Sequence, residues 1–378
     1  APTGKAAARL AQSLAEQLAR LDPSGELRAR LPAAGQTVHR LLGSRADSRS
    51  ADPTPLDHDL VIVDEASMLD IELAARLFES LGPGARLVLA GDRDQLASVE
   101  AGAVFADLCS ASLDGVIVLE RNYRQQDAPD IVALAAQIRE AAGRAGAADA
   151  SPHAIDWPEP IVVAPAEPAQ IVDQALAAWH DAFAAIAADA EPAKVLEAYD
   201  RHRVLAAMRD GPLGVQALNR AIALRVRRLA AGGAAADWYA GRLVMVTKNE
   251  PGLGLFNGDV GVCLPPPDPG LSRDGLVVAF GAADRVRLFP VLQVPACEDA
   301  WAMTVHKSQG SEFGSVALVP APAGHPLNTR ELVYTGVTRA RSRLCIYGSR
   351  DAIEEAARRP TERHGRLAAR LAGLRGQR

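Results

Sequence analysis

"LVIVDEASM", residues 60–68, decides how this chain folds. Leu60-Val61-Ile62-Val63 is a short, β-branched apolar run, the pattern of a strand buried on both faces of a parallel sheet. Asp64 and Glu65 follow at once, so they stand just past the strand's carboxyl end. In open α/β sheets that edge is where ligands bind. The pair has two readings. As chemistry, Asp64 holds Mg²⁺, directly or through water, and Glu65 orients and polarises an attacking water, as nucleoside triphosphate hydrolysis requires. As structure, the carboxylates cap a helix, whose amino end favours negative charge.

Outward from this stretch the same texture repeats. Arg86 to Ala90 and Val116-Ile117-Val118-Leu119 read as two more strands. Between the first two lies an amphipathic helix with Leu69, Leu73, Leu77 and Leu81 at four-residue spacing. Alternating strands and helices imply βαβ units and a sheet with covered faces. "LVLAGDRDQLASVEAG", residues 87–102, repeats the strand-then-carboxylate arrangement. Gln95 there can hydrogen-bond a γ-phosphate or its attacking water, whereas Asp92 and Asp94 also suit a plain turn.

After Tyr123 a second α/β domain begins, with a helix from Ile131 to Ala142 and a strand at Ile161-Val162-Val163. A long Ala-rich helix carries Ile171, Ala175, Trp179 and Phe183 on one stripe; Val204 to Ala206 reads as a strand and Val215 to Leu229 as a helix. From Gly241 to Val294 the period changes to two, and Asn257-Gly258 is a hairpin signal. This predicts a small β-barrel inserted into the second domain. The α/β texture returns at Trp301, and the Arg- and Ala-rich tail reads as a fraying helix.

Composition sets bounds on function. The chain has 378 residues, enough for two or three domains, and a net charge of −5. Any nucleic-acid contact must therefore use local clefts rather than an overall basic field. The four cysteines are scattered, without a C-x-x-C pair, which argues against structural zinc and a disulfide scaffold and suits a reducing cytoplasm. No apolar run has membrane-spanning length. The first residue is Ala, so the chain is expected to be processed or cut from a larger protein.

Three further stretches carry candidate chemistry. "APTGKAAARL", residues 1–10, ends its Gly-Lys pair with Ala6 where the phosphate-binding loop G-x-x-x-x-G-K-[ST] needs Ser or Thr. Thr3 is equally suited to cap a helix through Ala6, Leu10, Leu14 and Leu18. "LERNYRQ" (119–125) and "YTGVTRARSRL" (334–344) each set an arginine, Arg124 and Arg339, at a strand–loop boundary. Either could reach a γ-phosphate, or pair with a surface carboxylate. Tyr123 could stack on a base. "MTVHKSQGSEF", residues 303–313, is dense in small donors, among them Thr304, His306 and Lys307, which can track a sugar–phosphate backbone. His306 alone would more often be an ordinary structural histidine.

In order, these stretches resemble the motifs of superfamily 1 helicases over nearly the whole chain, and within them the RecD family, the alpha subunit of exodeoxyribonuclease V. "APTGKAAARL" looks like motif Ia, "TVHRLLG" the segment after it, "VDEASM" motif II and "GDRDQLASVEAG" motif III. "LERNYRQ" looks like motif IV, "AMTVHKSQGSEF" motif V and "VYTGVTRAR" motif VI. "QLASVEAGAV" and "VLAAMRDGPLGVQALN" look more like RecD than like its stand-alone relatives.

The resemblance implies two RecA-like parallel-sheet motor domains, the first incomplete, with an inserted SH3-like β-barrel. The expected bounds are 1–118 for the first domain, 119–240 with 296–360 for the second, 241–295 for the barrel and 361–378 for the tail. It implies an ATP-dependent 5′→3′ DNA helicase that works with RecB- and RecC-type subunits on single-stranded DNA. By resemblance, Asp64 carries Mg²⁺, Glu65 is the catalytic base and Gln95 couples nucleotide state to motion. Tyr123 stacks on adenine, Glu312 and Gly310 bind nucleotide, and Arg124 and Arg339 are fingers from the second domain. Thr3, Lys5, His39, Thr304 and His306 face DNA. The family's phosphate-binding loop would lie upstream of Ala1, so the chain as it stands is expected to hydrolyse ATP negligibly. The alternatives are a stand-alone RecD-like or relaxase-linked helicase, or a DNA-binding or assembly scaffold.

Overall fold

The structure, a computed structural model, describes residues 1–21, 35–43, 55–111, 113, 115–119, 125, 127–144, 155–229, 237–272, 275–281, 285–362 and 365–375. The strands are β1 (Leu60–Val63), β2 (Arg86–Leu89), β3 (Val162–Ala164), β4 (His202–Ala206), β5 (Leu243–Val246), β6 (Val260–Leu264), β7 (Val277–Phe280), β8 (Arg287–Pro290), β9 (Cys297–Asp299), β10 (Ala302–Thr304), β11 (Phe313–Val319) and β12 (Ala340–Tyr347). They fall into two compact units, Ala1–Arg121 with Glu362–Arg378, and Asn122–Thr361.

In the first unit β1 and β2 pair in parallel, with Leu60 opposite Arg86 and Val63 opposite Leu89. The helix Ile71–Glu79 connects them, capped by Asp70, whose carboxylate accepts from the Leu73 N–H at 2.7 Å. Its leucine stripe meets the sheet. Val61, Val63, Leu69, Leu73 and Leu77 form one core with Val38 and Leu42. The other face of the sheet is open among the described residues, since Leu60, Ile62 and Val88 are about half exposed. The sequence reading had both faces covered.

It also had a third strand at Val116 to Leu119, and that segment forms none. Ile117 and Leu119 are 84% and 89% exposed. A strand persists only where a neighbour satisfies its backbone groups, and none of the described residues pairs with this one. The tail is a helix, Leu367–Arg375, packed against the helix Val104–Ser110 of the same unit.

The second unit is a five-stranded parallel sheet in the order β10-β4-β11-β12-β3. β4 lies inside it, and all five of its residues are buried. The expected long Ala-rich helix is two, Pro168–Ala178 and His180–Ala187. They break at Trp179, a fully buried side chain whose indole N–H donates to the His202 carbonyl at 3.1 Å. Trp179, Tyr199 and Trp301 pack with ring centroids 5.4–6.2 Å apart, within the range of favourable aromatic pairs.

The insertion is a five-stranded antiparallel sheet in the order β8-β7-β6-β5-β9. It encloses its own core of Val244, Val246, Leu255, Cys263, Val278 and Phe280. Asn257-Gly258 sits in the β5–β6 connection, where the Gly258 N–H donates to the Val246 carbonyl and φ is +94°. Among the described residues the end strands β8 and β9 are not paired with each other, so the pairing gives the five strands of the insertion without showing closure into the expected SH3-like barrel. The period-two pattern specifies pairing and facing but not closure, which depends on shear and tilt. The sheet also runs beyond Val294, because β9 ends at Asp299.

Candidate functional site

Parallel strands put all their carboxyl ends on one edge. In the first unit that edge carries Asp64 and Glu65 after β1, and Asp92 and Gln95 after β2. The Ala66 N–H donates to the Ala90 carbonyl at 2.8 Å, tying the two strand exits together. The approach is close enough that a Cβ on Gly91 would stand 3.0 Å from the Ser67 nitrogen. Gly91 is therefore needed for close approach rather than for a turn.

Neither acidic residue after β1 caps the long helix, because Asp70 does that. Asp64 instead accepts from the Glu65 N–H at 2.9 Å. Glu65 itself is left-handed, with φ 55° and ψ 39°, and makes no side-chain cap to the short 3₁₀ turn Ala66–Met68. Non-glycine residues in this region are uncommon and strained, and such strain clusters at functional sites.

After β2, Asp92 serves as a turn residue, its Oδ1 accepting from the Asp94 N–H at 3.0 Å. Its Oδ2 accepts from Gln95 Nε2 at 3.0 Å. That leaves Gln95 Oε1 buried and without a hydrogen-bond partner among the described residues. Buried polar atoms are nearly always satisfied, so an unsatisfied one next to a carboxylate pair marks a place for a bound donor.

No group of three or more metal-ligating side chains occurs among the described residues. Asp64 is thus suited only as one ligand of an ion that arrives with its own phosphates and waters, the usual manner of Mg²⁺.

Two of the segments assigned to DNA lie side by side. The Val38 N–H donates to the Ala1 carbonyl at 2.9 Å, which joins the segment carrying Thr3 and Lys5 to the one carrying His39. Thr3 Oγ1 accepts from the Ala6 N–H at 3.2 Å, so Thr3 does begin a helix, Gly4–Leu21. His39 is exposed on the short helix Val38–Leu41, which Thr37 caps.

The second unit divides its candidates between two edges. Thr304 ends β10 level with Ala206, the end of β4, and the Lys307 N–H donates to Thr304 Oγ1 at 3.2 Å. His306, half-buried, follows in the same turn, on the carboxyl edge. Gly310, with φ +71°, and Glu312 lie where the chain has passed to the amino end of β11. Arg339 precedes β12 there. Its guanidinium is 2% exposed and donates to the Thr335 carbonyl at 3.2 Å and the Ser311 carbonyl at 3.3 Å. These bonds commit part of the Arg339 donor set to carbonyls of its own unit. Tyr123 and Arg124 lie outside the described residues.

Sequence reasoning missed one feature of the carboxyl edge. A cleft of about 400 Å³ opens there, lined by Arg209, Gln216, Arg220, Thr304, Lys307 and Glu298, among others. Arg209 lies three residues beyond the end of β4, and its place after a strand is the positional signal that would have found it.

Residues 1–155 match an AAA domain, and residues 299–347 a UvrD-like helicase C-terminal domain. The RecBCD enzyme subunit RecD of Mycobacterium tuberculosis H37Rv is 38% identical, over 98% of this chain and 64% of that protein. That of Haemophilus influenzae is 32% identical, over 99% of this chain and 65% of that protein. The ATP-dependent RecD2 DNA helicase of Deinococcus radiodurans is 33% identical, over 95% of this chain and 47% of that protein. Among solved structures, Pif1 of Bacteroides bound to single-stranded DNA is similar with a TM-score of 0.44 and 15% identity, over 85% of this chain and 81% of that one. The chain spans about 64% of the length of the first RecD relatives. With an AAA domain and a UvrD-like helicase C-terminal domain matched, and 32–38% identity to RecD subunits along nearly its whole length, the chain is similar to superfamily 1 helicases of RecD type.

Proposed function

We propose that this chain is the greater part of an ATP-driven 5′→3′ DNA motor that works beside RecB- and RecC-type subunits. The observation that carries the reading is the paired edge of β1 and β2, where a strained Glu65, Asp64 and an unsatisfied Gln95 Oε1 share one strand exit. A bound ATP with Mg²⁺ supplies the phosphoryl group and neutralises its charge. The chain's own residues do the rest. Asp64 holds the ion. Glu65 accepts the proton of the attacking water. Gln95 gives one amide N–H to Asp92 and leaves Oε1 as an acceptor, which suits the O–H of the attacking water. Its second N–H remains for a phosphate oxygen. In the second unit Glu312 and Gly310 face the nucleotide, and Thr304 and His306 face the strand. Arg339 positions the Ser311–Glu312 segment through its bond to Ser311.

Relatives named as RecBCD subunits, and one named as an ATP-dependent DNA helicase, support this reading. The test is single-stranded-DNA-stimulated ATPase on residues 1–378 and on the same chain extended upstream through a phosphate-binding loop. The expected outcome is an inert short form and an active extended form, whose Glu65→Gln variant loses at least about 100-fold in kcat, the low end for a general base. An extended form that turns over equally well with Glu65→Gln refutes the assignment. An extended form inert even with its partner subunits favours a scaffold.

A further inference from the structure

The basic cleft on the carboxyl edge of the second unit already holds an acid. Glu298 Oε1 lies 2.5 Å from Lys307 Nζ, and its Oε2 lies 4.0 Å from Arg209 Nη2. The two cations come from the turns after β10 and β4. The acid comes from β9 of the inserted sheet, opposite Met245 of β5. Its neighbour Asp299 is committed elsewhere, to Arg242 Nε at 2.8 Å. Glu298 is thus the acid that offsets Arg209 and Lys307, while Arg220 lines the same cleft and donates through Nε to the Gln216 carbonyl.

A carboxylate with one oxygen toward each of two cations imitates the two non-bridging oxygens of a phosphodiester. We propose that Glu298 is a built-in competitor for a nucleic-acid phosphate, and that a single strand entering this cleft displaces it from Lys307 and Arg209. The proposal rests on the reading of this edge as strand-binding and adds a regulator to it. Both ion pairs are partly exposed, with side-chain exposures of 34% for Lys307 and Glu298 and 63% for Arg209. Pairs of this kind are weak and salt-screened, so a polyanion can replace them. The cleft has room for the exchange, since its volume is many times that of one water. Because the acid is carried by the inserted sheet and the cations by the parallel sheet, strand entry would loosen a link between the two.

The experiment is fluorescence anisotropy of labelled oligo(dT) with residues 1–378, without nucleotide, from about 50 to 200 mM salt. Wild type is compared with Glu298→Gln, Glu298→Ala and Lys307→Met, each checked for an unchanged melting temperature. Glu298→Gln keeps the side chain's volume and removes its charge. Both Glu298 variants should bind roughly three- to tenfold tighter at low salt. Their salt slope should steepen by about one, since each phosphate neutralised on a single strand contributes about 0.7. Lys307→Met should weaken binding, and combined with Glu298→Gln in a double variant it should abolish the gain. Unchanged or weaker binding by both Glu298 variants overturns the proposal, as does binding by none of the proteins. An equal gain with poly-glutamate as ligand assigns the cleft to acidic peptide and also overturns it. The ATPase of the extended chain tests the motor separately, so a failure here and a failure of the motor are distinguishable.

Discussion

Acidification should destabilise the second unit through one buried histidine. His202 begins β4, is 8% exposed, and packs edge-on to Trp179 with ring centroids 5.3 Å apart. Its Nδ1 lies 2.7 Å from Ser315 Oγ, and its Nε2 has no partner among the described residues. Burial, with a smaller push from the adjacent Arg203 guanidinium, lowers its pKa from 6.5 to about 4. The imidazole is therefore neutral in the folded protein at neutral pH. A base whose folded pKa lies below its unfolded value leaves stability at its full value above the unfolded pKa, and stability falls as pH drops. The loss begins near pH 6.5 and is complete below about pH 4. By linkage it amounts to about 2 kcal/mol at pH 5 and approaches about 3 kcal/mol below pH 4. All four tryptophans (Trp157, Trp179, Trp238 and Trp301) lie in the second unit, so their fluorescence follows its unfolding alone. Urea unfolding of wild type and His202→Gln from pH 7.5 to 5 isolates the residue, because glutamine does not titrate and any packing loss is the same at every pH. Wild type should lose about 2 kcal/mol relative to the variant over that range. Parallel curves, agreeing within about 0.5 kcal/mol, would refute the reasoning.

Two substitutions probe backbone and packing. Glu65→Gly should remove left-handed strain at φ 55° and stabilise the first unit by up to about 1 kcal/mol while removing the proposed base, read as slower hydrogen exchange of the β1 and β2 amides together with lost ATPase in the extended chain. Gly261→Ala would put a Cβ 2.6 Å from the Phe280 ring inside the inserted sheet, and should destabilise that sheet by about 1–3 kcal/mol in urea unfolding.

Much of this architecture was legible because period and punctuation are local. The leucines from Leu69 to Leu77 announce a helix, and four apolar residues before Asp64 announce a buried strand. What was not legible depends on distant partners. Val116 to Leu119 has a strand's composition and no strand beside it among the described residues. The stripe from Ile171 to Phe183 is helical throughout in pattern, yet it breaks at Trp179, where the indole bonds to His202. Closure of the inserted sheet was inferred from alternation, which does not encode it. Among site residues, Asp64, Glu65 and Gln95 could be read from their position after strands. The burial of Arg339 could not, because the Ser311 carbonyl that holds it lies 28 residues away.

Position after a strand also accounts for how a chain of net charge −5 would serve the two anionic ligands proposed for it. The exits of β1 and β2 carry Asp64, Glu65, Asp92 and Asp94, whereas the exits of β4 and β10 are followed by Arg209 and Lys307. An acidic exit repels bare phosphate and accepts it only behind a cation, which suits nucleotide with Mg²⁺. A basic exit takes a phosphodiester directly. The sign of each edge, rather than the sum over the chain, selects the ligand, because at physiological salt charges are screened within about 8 Å. Glu298 is the informative exception, an acid on the basic edge, supplied by the insertion. If edge sign governs the choice, removing that one charge should strengthen strand binding and leave nucleotide turnover in the extended chain unaltered when DNA is saturating. A change in turnover at saturating DNA would mean that the two edges do not select their ligands independently.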